Sequence, residues 1–192
     1  MPVRFLTKAH IAQYGRYTDP PSPTQLARYF YFDQTDLNNI NQRYTDHTRL
    51  GYAIQLGTVR FLGTFVSDLA EVPPEIISHL AGQLSIEDTA VWQRYAGSKT
   101  QRRHTEEIKQ QYGYLDFHQS PLPFGLLRRL YARAWLGPER PIVLFNFAVS
   151  WLIEHKILLP GVTVLERLVA QVCDRANRRL WRRLATLPNP AQ

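Results

Sequence analysis

The chain has 192 residues, 44% of them hydrophobic, which is enough for one or two domains with a real core. Its net charge of +7 comes from the second half, residues 1–93 carrying −2 and residues 94–192 carrying +9, so the basicity is local and points to a polyanionic partner. One cysteine, Cys173, excludes an internal disulfide framework and a cysteine-rich zinc finger; no apolar run approaches the roughly 18 residues of a membrane span, and the start lacks a signal-peptide shape. A soluble, intracellular protein with no membrane partner is expected.

The pattern is helical along the whole chain. Thr7 caps a short helix through Tyr14, ended by Gly15. A proline-bearing loop over Tyr17 to Pro23 leads to short helices at Thr24 to Phe30 and Thr35 to Arg43, the latter capped near Asp33. A long amphipathic helix runs from Asp46 to Leu62, with Leu50, Ala53, Ile54, Phe61 and Leu62 on its apolar side and Gly63 behind it. Pro73-Pro74 opens a helix over Glu75 to Gln83. Ser85-Ile-Glu-Asp88 resembles a capping box for a helix reaching Tyr95 or Ala96, and another helix follows from Thr100 to Tyr112, stopped by Gly113. After the Pro121-Leu-Pro123 loop, helices are expected over Phe124 to Leu136 and from Pro141 to about His155. Thr163-Val-Leu-Glu166 is a capping box for a last long helix running towards Leu187.

Five arginines, Arg175, Arg178, Arg179, Arg182 and Arg183, fall within nine residues of that last helix. At about 100° per residue they fan over one side, beside a stripe of Leu165, Val169, Val172, Ala176, Leu180 and Leu184. Guanidinium binds phosphate bidentately and keeps its charge at cellular pH, so a fixed row of them suits nucleic acid. The plainer alternative is a solvated helix end complementing the helix dipole. Arg128 and Arg129 add a second basic pair.

The two helices joined across Ala96-Gly97-Ser98 form a helix–turn–helix-like pair, with Lys99, Gln101, Arg102 and Arg103 at the start of the second helix, where base edges and phosphates are met, and Lys109 further along. Ile108 and Tyr112 would pack against Val91, Trp92 and Tyr95. An ordinary helical hairpin with a charged face is the competing reading. Arg43, Arg49 and Arg60 are weaker candidates for DNA contact, since Arg49 and Arg60 could equally hold acidic caps such as Asp46. The run Tyr29 to Phe32 and the tryptophans read as core, except that Trp181 falls opposite the apolar stripe. No metal site is expected, the six histidines lacking ligand spacing, and no catalytic constellation assembles. No cofactor is implied.

Several segments resemble, in order, the N-terminal region of the Tn-three family of replicative transposases: Met1-Pro-Val-Arg-Phe-Leu-Thr7, Tyr14-Gly-Arg-Tyr17, Pro21 to Phe30, Arg49-Leu-Gly-Tyr-Ala-Ile-Gln-Leu56, Val59-Arg-Phe-Leu-Gly63, Ile108 to Tyr114, Trp151 to Gly161, and Leu165-Glu-Arg-Leu-Val169. Thr48 stands where the family would have Asn, a local departure. The resemblance implies recognition of terminal inverted repeats by this region, while a metal-dependent DDE-type catalytic centre lies elsewhere in such transposases, so the chain reads as a fragment or truncated copy that binds without cleaving. Implied partners are double-stranded DNA and the rest of the transposase, with a homodimer left open; the setting would be the bacterial cytoplasm, at the nucleoid. The expectation is an all-α protein of two helical modules, 1–80 and 81–192, the second holding the helix–turn–helix-like pair and the basic helix. A module that docks or dimerises without touching DNA is the rival reading, and an enzymatic role a distant third.

Overall fold

The computed structural model describes residues 4–118, 123–137 and 139–186. It is all-α: the β-type pairing among these residues is a single parallel bridge between Leu115 and Ile157. Contacts gather the chain into two units, one formed by 15–115 with 156–158, the other by the segments up to 14, 116–155 and from 159 on. Residues 80 and 81, between which the sequence reading divides the two modules, both lie inside the first of these.

In the 15–115 unit, α2 (Pro23–Tyr29), α3 (Gln34–Asn41), α5 (Pro74–Leu84) and α6 (Lys99–Tyr112) surround α4 (Asp46–Leu62). The bounds of α4 are those read from the sequence, with Gly63 left-handed behind it. Its surroundings differ: every residue from Leu50 to Val59 is buried. A helix enclosed on all sides needs no polar face, and its two buried polar side chains are tied to neighbours, Gln55 Nε2 donating to Val66 O at 2.9 Å and Thr58 bonding the Tyr17 hydroxyl at 2.7 Å. Enclosure this tight depends on glycine at two contacts. A Cβ on Gly51 would lie 2.3 Å from the Tyr95 ring, and one on Gly57 would lie 2.4 Å from the Phe30 ring. Phe30 and Phe32 are buried while Tyr31 is exposed, so the aromatic run is mostly core.

The expected helix from Ser85 is replaced by a 3₁₀ segment, Thr89–Arg94. Ser85 is taken up by the end of α5, where it is left-handed (φ 55°) and its N–H donates to Ala81 and Gly82 carbonyls, so it cannot cap a helix running forward. Asp88 caps instead, accepting from Ala90 N at 2.9 Å. The first member of the helix–turn–helix-like pair is therefore a short 3₁₀ stretch. The second member, α6, stands as expected, with Ser98 as its cap and Gly113 at its end, and Ile108 and Tyr95 meeting in the core.

The other unit contains α1 (Lys8–Gln13), α7 (Pro123–Leu136), α8 (Pro141–Glu154) and α9 (Val162–Ala185). Leu126 and Leu130 of α7, Leu144, Ala148 and Leu152 of α8, and Leu165, Val169 and Ala176 of α9 are buried among these mutually packed helices. Glu166 is not a cap. Gly161 precedes α9 with no side-chain cap, and Glu166 is buried, its Oε1 accepting from Phe5 N and Leu6 N at 3.0 Å each. The N-terminal segment is thereby tied to α9, with the Tyr14 hydroxyl donating to Pro160 O at 2.9 Å. The stripe of α9 is buried only as far as Ala176; Leu180 and Leu184 are exposed, as is Trp181 at 70%. Leu187, Pro138, the 119–122 part of the proline loop and the first three residues lie outside the described set.

Candidate nucleic-acid interface

The arginine row is the densest cationic surface, and α9 is long enough to display it because its first half is anchored in the core. Arg175, Arg178, Arg179 and Arg182 share one flank of α9 with Gln171 and Leu168, and this flank faces α7. Between the two helices lies an open groove of about 1190 Å³, with Phe124, Arg128 and Tyr131 on the α7 side. All five arginines of the row are exposed, as are Arg128 and Arg129. Asp174 is the carboxylate lining the groove; it bonds Arg178, whose guanidinium holds that carboxyl below the usual aspartate range. Among the described residues, Arg128, Arg129, Arg175, Arg179, Arg182 and Arg183 have no carboxylate partner.

Aromatic side chains on α7, of which the sequence reading takes up only Trp135, as core, border this surface. Tyr131 and Trp135 stack at 6.4 Å with 10° between their planes. The Arg179 and Arg183 guanidinium carbons lie 5.4 and 6.0 Å from the Trp135 ring centroid, within cation–π range. Phe124 is 78% exposed. The signal was present in the spacing: Phe124, Arg128, Tyr131 and Trp135 recur at helical intervals on one side of α7.

The candidates in the 15–115 unit divide differently. Lys99 and Arg102 are exposed at the start of α6, and Arg103 is exposed with Glu107 Oε1 at 3.4 Å. Lys109 pairs with Glu106 at 3.2 Å. These two glutamates lie beyond the first turn of α6, so ion pairing rather than the helix dipole accounts for them. Gln101, a candidate for groove contact, is instead buried at 7% exposure. Its Nε2 donates to Val66 O and Ser67 O at 3.1 Å and its Oε1 accepts from Gly97 N at 2.9 Å, so its hydrogen-bonding capacity is used in holding two loops. Gln101→Ala is expected to cost about 2–3 kcal/mol, near 1 per lost bond, while leaving any DNA sequence preference of the folded protein unchanged. Urea denaturation alongside a band-shift competition checks both halves of that statement.

Arg43, Arg49 and Arg60 are likewise committed within the fold. Arg60 makes a bidentate pair with Asp36, both contacts 2.8 Å, over the Phe32 and Tyr112 rings. Arg49 bonds Asp46 at 2.9 Å, Asn41, and Leu84 O. Arg43 binds Glu107 and Asn39 O and lies 4.0 Å from the Tyr52 ring centroid. Structural pairing, the alternative held open for Arg49 and Arg60, is what the geometry supports.

His104 is buried against Tyr52, its Nδ1 3.1 Å from the Tyr95 hydroxyl. Burial, then the Arg43 charge, lower its pKa from 6.5 to about 4, with Glu107 opposing and Arg103 adding a smaller push downward. A group depressed in the folded state stabilises above its unfolded pKa, because only the unfolded chain takes the proton readily. Stability should therefore fall as pH drops from 6.5 towards 4. Replacing His104 with Gln should flatten the urea midpoint across that window relative to the parent; identical slopes for the two proteins would contradict the assignment.

Among the described residues no group of three or more His, Cys, Asp or Glu is placed to hold a metal ion, and no helix is long and apolar enough to cross a membrane. Fold and surface define an all-helical module that displays guanidinium groups along one long helix. Residues 5–172 match the family described as Domain of unknown function (DUF4158), and the chain belongs to it. Its relatives are transposases. It is 51% identical to the transposase for transposon gamma-delta of Escherichia coli (strain K12), over 100% of this chain and 19% of that protein. It is 32% identical to the transposase for transposon Tn501 of Pseudomonas aeruginosa, over 86% of this chain and 16% of that protein. With the transposase for transposon Tn1546 of Enterococcus faecium it shares 28% identity, over 81% and 16%. The resemblance to Tn-three transposases seen in the sequence is borne out, and the chain spans only 16–19% of the length of these relatives.

Proposed function

We propose that this chain is the part of a transposase that binds duplex DNA at the terminal inverted repeats. The observation that carries the reading is the α9 arginine row opposite Arg128, a surface with seven exposed guanidiniums when Arg129 is counted and one carboxylate, Asp174, already occupied by Arg178. Such a surface neutralises phosphates and releases counterions. Arg128, Arg129, Arg175, Arg178, Arg179, Arg182 and Arg183 position the backbone. In the other unit Lys99, Arg102 and Arg103 are the exposed cations at the start of α6 and are the groove-contact candidates that remain. The transposase names of the relatives support DNA as the polyanion. A band shift at about 150 mM salt, near physiological screening, tests the specific part: inverted-repeat duplex should bind more tightly than scrambled duplex, and equal affinity would reject it.

A protein-interaction role is the second reading, favoured by the exposed Leu180, Trp181 and Leu184 on the last turns of α9. Its partners would be the rest of the transposase or a second copy. Sedimentation without DNA separates the two: a self-associating chain that ignores DNA supports this second reading.

A further inference from the structure

We infer that the groove between α7 and α9 holds an unpaired DNA strand, its bases stacked on the aromatic side chains of α7 and its phosphates on the arginines of α9. The inference rests on the reading of this surface as a DNA-binding one and goes beyond it. Phosphate neutralisation alone asks only for cations on a convex face. Here the cations line a concavity with Phe124 and Tyr131 on its opposite wall, and Arg128 lies between those two rings along α7. Phe124 is 78% exposed, an aromatic face left open to solvent beside a row of charges.

Width decides what fits. Two packed helices have axes about 8–10 Å apart, so the trough between their exposed flanks is narrower than a double helix, which can only lie across its rim. A single strand can enter. Its volume of about 1190 Å³ exceeds the roughly 300–1,000 Å³ of a small-molecule site, room for several linked nucleotides rather than one. Paired bases in a duplex are stacked on each other and offer their faces only at the ends, whereas unpaired bases stack readily on aromatic rings, without regard to sequence. The Tyr131 and Trp135 rings are already stacked, and Arg179 and Arg183 lie over Trp135, so a guanidinium-capped ring continues the aromatic side of α7 beyond Tyr131. Asp174 is the lining group that repels a strand, and its bond to Arg178 offsets that charge.

The test measures fluorescence anisotropy of a labelled oligothymidylate and, separately, of inverted-repeat duplex, using the whole chain. Phe124→Ala, at an exposed position that leaves the core untouched, should weaken oligothymidylate binding about tenfold, within the range of one base–aromatic stack, and leave duplex binding unchanged. Arg175→Ala with Arg182→Ala should weaken both. If the duplex binds in an arginine-dependent way while the single strand does not bind, or loses nothing on Phe124→Ala, the inference fails and the duplex reading stands. If the paired arginine substitutions change neither affinity, both fail.

Discussion

Replacing Arg128, Arg175 and Arg182 together with alanine is expected to lower duplex affinity about a hundredfold, at near 1 kcal/mol per contact. The slope of log K against log salt should become shallower by about 2.7, or 0.9 for each phosphate no longer neutralised. These three line both walls of the α7–α9 groove, and among the described residues none has a carboxylate partner. Their loss therefore leaves no buried charge stranded, and the thermal midpoint should hardly move, since exposed substitutions of this kind stay within about 0.5 kcal/mol. The contrast is with Arg60→Ala, which removes both guanidinium hydrogen bonds to the buried Asp36 carboxylate and should unfold the protein more readily without changing the salt slope of the remaining folded fraction. Band shifts at three salt concentrations distinguish them. A triple variant with the parental slope would remove the groove from the interface.

Gly57→Ala should be the most damaging single methyl in the molecule, together with Gly51→Ala. On helix propensity alone each change would gain about 1 kcal/mol. The added carbon at 57, however, would sit 2.4 and 2.8 Å from two Phe30 ring atoms, and at 51 within 2.6 Å of three Tyr95 ring atoms. Both rings are fully enclosed and cannot swing away. Overpacking a filled core costs about 1–3 kcal/mol and occasionally more, and here a rigid ring meets a backbone-fixed carbon, so a net loss of about 3 kcal/mol is expected by urea denaturation. The partner change supplies the control: in a Phe30→Leu background the same glycine substitution should cost visibly less, a coupling that a double-mutant cycle reads directly. A Gly57→Ala protein more stable than the parent would mean that the two helices do not approach this closely.

Much of the helical plan was legible because punctuation in this chain is local chemistry. Gly63 and Gly113 stop α4 and α6, and Thr7 and Asp33 cap α1 and α3, each through a bond to a residue a few positions away, while Pro141 opens α8 by its fixed backbone angle. What escaped was decided at long range. Ser85-Ile-Glu-Asp88 has the composition of a forward cap, but the preceding helix claims Ser85 first. Glu166 has the right offset from Thr163 for a capping box, yet its carboxylate is spent on backbone 160 positions away. Gln101 sits where a reading residue would sit and faces inward because two loops need its amide. For the interface, the cations of α9 were evident from spacing alone, but the aromatic wall opposite them needed the packing of α7 beside α9 to be known.

The bond from Glu166 to the backbone of Phe5 and Leu6 bears on biogenesis. The unit that carries the groove is assembled from stretches on either side of a nearly continuous block, so its first strand of chain leaves the ribosome long before the helix it must meet. During synthesis the inner block can collapse on its own schedule, whereas the basic unit must wait for α9 and close a loop of some 160 residues. Splitting the gene near the proline pair would divide the inner block through its core; excising the inner block as a whole is the cut that respects how the polypeptide is wired.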